Sequence, residues 1–309
     1  MSIRAESYLL GLIGEGVLPS LSPALHEREA DRQGLRLLYR PIDLLELGLA
    51  PTAVGDLLEA AARMGFNGLN VTHPCKQLVL PFLDEVSEDA RRLGAVNTVL
   101  IRDGGFIGHN TDFSGFGGAF ATGLPNAPVG RVVQLGAGGA GSAVAYALLS
   151  AGVQHLDLVD MDGGRAVSRA EELQGLFPDR TVSGGGIGGL DMLVPGADGL
   201  VNCTPMGMKE HPGASFDLEL LTPHHWVADI VYRPIETELV QHARKRGCLV
   251  LDGGRMAVGQ AADAFRLFTG RDADADHMRT HFLDMVEREG SATAATSHGT
   301  QPLLSGAAG

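Results

Sequence analysis

Seven consecutive residues, Asn70-Val71-Thr72-His73-Pro74-Cys75-Lys76, put an amide, a hydroxyl and an amine at the end of a short apolar run, Phe66 to Val71. Pro74 continues neither a strand nor a helix well, so the run should stop here and present those groups at its mouth. Groups of this kind in that place can hydrogen-bond a small polar substrate. A solvated turn with an incidental lysine fits the same seven residues equally well.

A second constellation points to a dinucleotide. Gly136-Ala137-Gly138-Gly139-Ala140-Gly141 follows the apolar run Val132 to Leu135 and opens a helical pattern. Glycines so spaced allow a tight turn and a close approach of backbone N–H groups to a pyrophosphate at a helix N-terminus. Asp160 ends the next apolar run, near the roughly 20-residue spacing of an acidic ribose ligand. A carboxylate there accepts the ribose hydroxyls of NAD and repels a 2′-phosphate. Met161 offers no offsetting charge, and Asp162 adds to the repulsion. Arg165 is the nearby cation, free either to stack on adenine or to pair with Asp160.

The elements that must hold these groups follow from the rest of the chain. Its 309 residues, 44% apolar and 20% charged, suit one large or two ordinary globular domains. A net charge of −13, from 37 acidic and 24 basic residues, argues against nucleic acid or an anionic membrane as partner. Cys75, Cys203 and Cys248 are too scattered for a disulfide framework or a metal knuckle. No metal is expected, and the cytoplasm is the expected compartment.

Alternating patterns predict strands near 7–13, 37–43, 66–71 and 98–101, with helices over 23–34, 51–64 and 75–83. Such alternation predicts a mostly parallel, helix-covered sheet. The stretch Gly123 to Gly130, with Pro125 and Pro128, is the expected boundary. A second alternating series follows, with strands at 132–135, 155–159, 199–202, 226–231 and 248–251. The expectation is an α/β protein with a substrate domain over 1–122 and a Rossmann domain over 123–260. Late helices within 261–288 should pack back on the first domain, and the Ser-, Thr-, Ala- and Gly-rich tail 291–309 should be disordered.

Taken together, these motifs resemble the shikimate dehydrogenase family, in its NAD-using quinate/shikimate dehydrogenase branch, over residues 7–288. The likeness rests on Ser20-Leu21-Ser22, Asn70 to Lys76, Gly94 to Thr98, Gly108 to Asp112, the glycine turn, Asn202 to Gly207 and Asp252 to Gln260. It implies a two-domain oxidoreductase that uses NAD to interconvert shikimate with 3-dehydroshikimate, and quinate with 3-dehydroquinate.

Residue by residue, the resemblance implies Lys76 and Asp112 as an acid–base pair, because a carbinol that loses hydride must also shed its hydroxyl proton. Asp112 would equally serve as a helix N-cap before Phe113. Ser20 and Ser22 match a hydroxyl pair that grips a carboxylate, and Ser22 before Pro23 is also a good N-cap. Thr72, Asn97, Gln260 and Tyr232 match positions that bond the substrate's hydroxyls. Thr204, Ile230, Gly253 and Met256 match positions along the cofactor. His73 and His109 read as structural.

NADP-using members place Asn-Arg-Thr where Asp160-Met161-Asp162 stands, which puts an NADP assignment in doubt. The implied partner is a small molecule, and a homodimer is compatible with the reading. Rival readings are an aminoshikimate-type or NADP-dependent biosynthetic enzyme and a non-catalytic dinucleotide sensor. The loop Lys209 to Gly213 has no assigned role.

Overall fold

The computed structural model describes residues 7–297, with side chains described through Glu289. Two six-stranded sheets stand side by side, each built from one half of the chain.

The first half runs β1 (Ser7–Gly14), α1 (Ser22–Arg32), β2 (Arg36–Asp43), α2 (Leu44–Leu47), α3 (Val54–Arg63) and β3 (Gly68–Val71). It continues with α4 (Cys75–Leu78), β4 (Glu85–Val86), α5 (Glu88–Leu93), β5 (Thr98–Arg102) and β6 (Gly105–His109). Its sheet order is β2-β1-β3-β5-β6-β4. β1 pairs in parallel with β2 and β3, but β5 is antiparallel to both β3 and β6. The sheet is therefore mostly parallel, as expected, with β5 as its one reversed strand. The reason is local: Asp103 (φ 51°) and Gly104 (φ 82°) both take left-handed conformations and fold β5 and β6 into a hairpin. The helix expected over 75–83 is the single turn α4 followed by a 3₁₀ turn at Leu80–Phe82.

The second half begins with α6 (Thr111–Gly123) and β7 (Arg131–Leu135), then α7 (Gly139–Ser150), β8 (His155–Asp160), α8 (Gly163–Leu176) and β9 (Thr181–Gly186). After α9 (Leu190–Leu193) come β10 (Gly199–Asn202), β11 (Trp226–Asp229), α10 (Glu238–Lys245) and β12 (Leu249–Leu251). All strands of this sheet are parallel, in the order β12-β11-β10-β7-β8-β9. That is the doubly wound Rossmann order, with its reversal between β7 and β10. Both faces are covered, so β10 and β11 are buried along their whole length.

The chain leaves the first sheet along α6 and returns along α11 (Gly253–Thr269). Position 260, expected to end the second domain, therefore lies inside an unbroken helix. Ala264, Phe265 and Phe268 of α11 share a core with Leu10 and Leu12 of β1. The two crossing helices touch backbone to backbone: a Cβ on Gly115 of α6 would collide with the backbone nitrogen of Gln260, and one on Gly259 would lie 2.7 Å from the Gly115 carbonyl. Only glycine permits that approach.

The last helix, α12 (Ala275–Ser297), packs Met278 and Phe282 against Leu21 and Leu25. The tail expected to be disordered from residue 291 thus begins as helix to Ser297, and 298–309 lie outside the described residues. Among the described residues no helix is long and apolar enough to cross a membrane.

Candidate active site

Two cavities meet in the cleft between the sheets, and Thr72 and Lys76 line both. β3 ends at Val71 and α4 starts at Cys75, so the intervening turn carries these two side chains to the junction. The Val96 backbone N–H donates to the Lys76 carbonyl at 2.9 Å and ties α4 to the start of β5.

Lys76 Nζ donates to Asp112 Oδ2 at 2.5 Å, across 36 positions of sequence. The aspartate side chain is 7% exposed and the lysine 21%, so little water screens the pair. Asp112 does not cap its helix. Asn110 does, accepting from the Phe113 N–H at 3.1 Å, which leaves the Asp112 carboxylate free to face Lys76.

The first cavity, about 270 Å³, is lined by Ser20, Ser22, Thr72, Asn97, Tyr232 and Gln260 together with Lys76. All six positions expected on the substrate side are therefore brought together. Ser22 is the first residue of α1 rather than its cap, and the Ser20 hydroxyl accepts from the Ser22 N–H at 3.2 Å. The two hydroxyls stand 3.2 Å apart at the uncapped helix end, a geometry that suits an anion. Asp43, buried at the end of β2, accepts from the N–H groups of Gly16, Val17 and Leu18 and so fixes the loop that carries the serines.

Asn97 is 4% exposed, and its amide is committed to Thr111 and Thr98. It therefore anchors the first residue of α6, next to Asp112. Asn70 is similarly engaged, with Tyr39 at 2.7 Å and Thr98 at 2.9 Å.

Sequence reasoning passed over His26 and Arg233, which also line this cavity. His26 is 1% exposed; burial pulls its imidazole down to about 4, against a smaller opposing effect of the Ser22 carbonyl. With Nδ1 2.9 Å from that carbonyl, Nε2 has no partner. Its four-residue spacing from Ser22 was the one available signal.

The second cavity, about 580 Å³, is lined by Ala137, Gly138, Gly139, Ala140 and Arg165. Gly136 sits at φ 97°, where a Cβ would lie 2.6 Å from the Cys203 carbonyl, so β7 can turn into α7 only with glycine there. Gly138 caps α7 without a side-chain acceptor, which leaves the first N–H groups of that helix facing the cavity. These are the groups a pyrophosphate needs.

Asp160, 7% exposed, does not itself line the cavity. It accepts from Ala137 N at 2.8 Å and Asp162 N at 2.9 Å, and from the Arg165 guanidinium at 2.6 and 3.3 Å. Burial works against its charge, but Arg165 and the two N–H donors outweigh it and hold the carboxyl below its ordinary value. Of the alternatives open for Arg165, pairing is the one seen. Met161 beside it is 89% exposed.

Thr204 follows β10, Ile230 follows β11, and Gly253 and Met256 open α11 after β12, so these four stand at the carboxyl ends of the strands without lining either cavity. His73 lines the second cavity, and His109 ends β6.

Known proteins are similar to this chain over most of its length. The shikimate dehydrogenase substrate binding domain matches residues 12–99, and the shikimate 5'-dehydrogenase C-terminal domain matches 254–281. A shikimate dehydrogenase (NADP(+)) of Pseudarthrobacter chlorophenolicus is 72% identical, over 94% of this chain and 99% of its own. A quinate/shikimate dehydrogenase (NAD(+)) of Corynebacterium efficiens is 52% identical, over 91% and 99% respectively. The quinate dehydrogenase of Corynebacterium glutamicum, solved with NAD, superposes with a TM-score of 0.87 at 53% identity, over 90% of this chain and 99% of that one. The chain belongs to the shikimate dehydrogenase family.

Proposed function

We propose that this protein is an NAD-dependent quinate/shikimate dehydrogenase that oxidises the C3 hydroxyl of a cyclic polyhydroxy carboxylate, reversibly. The observation that carries the reading is the Lys76–Asp112 contact at the one place where both cavities open. Bound NAD would supply the hydride acceptor. The Lys76–Asp112 couple takes the hydroxyl proton as the hydride leaves. Ser20 and Ser22 hold the carboxylate at the far end of the first cavity, while Thr72, Gln260 and Tyr232 supply hydroxyl contacts. In the reverse direction Lys76 returns the proton to the carbonyl oxygen.

Relatives divide over the cofactor, NADP at 72% identity and NAD at 52%. The local chemistry favours NAD. A ribose diol can replace Arg165 on Asp160, whereas a 2′-phosphate would meet that carboxylate with a methionine beside it. The three cysteines are free, which supports a cytoplasmic enzyme. Initial rates over quinate, shikimate and aminoshikimate, each with NAD and NADP, test the proposal. Turnover of quinate or shikimate with NAD well above NADP is expected, and a preference for NADP removes the cofactor assignment.

A further inference from the structure

We infer that Arg233 supplies the counter-charge for the substrate carboxylate and that Glu289 competes with the substrate for it. The inference rests on the dehydrogenase reading above and extends it to a residue outside the expected set.

A carboxylate leaving water for a cavity of this size needs a cation or several donors. The serine pair offers donors but no charge, and His26 is held neutral by burial. Lys76 is engaged by Asp112. Arg233 is the remaining basic residue of the lining. It stands in the turn after β11, beside Tyr232, whose ring centroid lies 6.0 Å from the guanidinium carbon. Its Nη2 donates to the carbonyl of Pro19 at 2.8 Å, and the next residue in the chain is Ser20. The guanidinium is thus already at the carboxylate end.

Two features show that its bonding is incomplete. Arg233 Nε is buried and has no partner. The same Nη2 also holds Glu289 of α12 at 2.8 Å, in a pair whose side chains are 27% and 48% exposed. A half-exposed ion pair is weak. A substrate carboxylate offers the same fork a better-buried, bidentate acceptor. On binding, the carboxylate takes the guanidinium from Glu289 and thereby ties the Rossmann half to the serine loop.

A plain strut between Arg233 and Glu289 would behave in the opposite way, and two variants separate the roles. Each is assayed on shikimate and on its neutral carboxamide, with NAD saturating. Arg233→Met should raise KM for the acid about 10- to 100-fold, change the amide far less, and leave KM for NAD within about two-fold. Glu289→Gln should lower KM for the acid about two- to five-fold, because the competitor has lost its charge.

Equal losses on acid and amide in Arg233→Met, or a raised KM in Glu289→Gln, would show a strut and overturn the inference. Unchanged acid-to-amide ratios overturn it as well. If Arg233→Met does not fold, Glu289→Gln decides alone by the sign of its effect. Wild-type protein that turns over neither acid with either cofactor sinks the dehydrogenase reading itself, whereas active wild type with unaltered ratios sinks only the role of Arg233.

Discussion

Two buried aspartates, one at each cavity, are held in contrasting ways. Asp160 takes two of its three donor residues from close by in the chain: Asp162 and Arg165 follow within five residues, while Ala137, 23 positions earlier, belongs to the turn it faces. Asp112 has one ionic partner, Lys76, delivered from another element 36 positions away. The first arrangement is a local network already satisfied before any ligand arrives. The second is a single pair whose geometry depends on β3, α4 and α6 all being in place. One arrangement is built mainly from neighbours in sequence, the other from elements that only the fold brings together.

The comparison breaks most sharply at Lys76. Replacing it with Met should lower kcat by roughly 10²–10⁴-fold with NAD affinity unchanged. Rapid kinetics with fluorescence titration of NAD checks this, and a variant with near wild-type kcat would take Lys76 out of the mechanism.

The wall of the same cavity makes a stability prediction through His26. Its folded value near 4 lies below the ordinary 6.5, so between those values the unfolded chain binds a proton that the folded chain refuses. Stability contributed by the neutral imidazole is therefore complete above pH 6.5 and is lost as pH falls towards 4, by about 3 kcal/mol. Urea unfolding at pH 7 and pH 4.5 should show wild type losing more than His26→Phe; parallel losses in the two proteins would refute the assignment.

At the nucleotide side the double change Asp160→Ser, Met161→Arg removes the carboxylate, frees Arg165 and adds a second cation. NAD efficiency should fall about 10- to 100-fold, the worth of charge-assisted hydrogen bonds, while NADP efficiency rises. Measuring kcat/KM for both cofactors in both proteins decides it, and an unaltered ratio would mean that Asp160 does not read the ribose.

The smallest effect is expected from Ser20→Ala with Ser22→Ala, which should raise KM for the carboxylate substrate roughly 10-fold and leave kcat nearly intact. Because the Ser20 hydroxyl accepts the Ser22 N–H at the start of α1, the double variant should also lose about 1 kcal/mol of stability. A folded double variant with wild-type KM would place the carboxylate elsewhere.

The same contrast governs what could be read from the chain beforehand. The glycine turn and Asp160 are legible because strand, turn and helix follow one another, and the parallel order of the second sheet follows from that alternation. In the first half β4, α5 and β6 have no counterpart in the alternating pattern, being short, and Asp103-Gly104 is the hairpin signal that precedes β6. The contact of Lys76 with Asp112 left no trace in spacing, since it arises from sheet pairing. Asn97 shows a side chain with two calls on it: it lines the first cavity, and its buried amide also holds Thr111. Arg233 was invisible because a lone arginine in a turn is ordinarily solvated; only the fold brings it over Pro19.

The glycine contact between α6 and α11 has a consequence for motion. Any change in the angle between the two sheets must be taken up along the two segments that pass between them, and these are pressed together at Gly115 and Gly259. A hinge formed there would displace groups close to the contact least, and Asp112 and Gln260 both lie on these two helices.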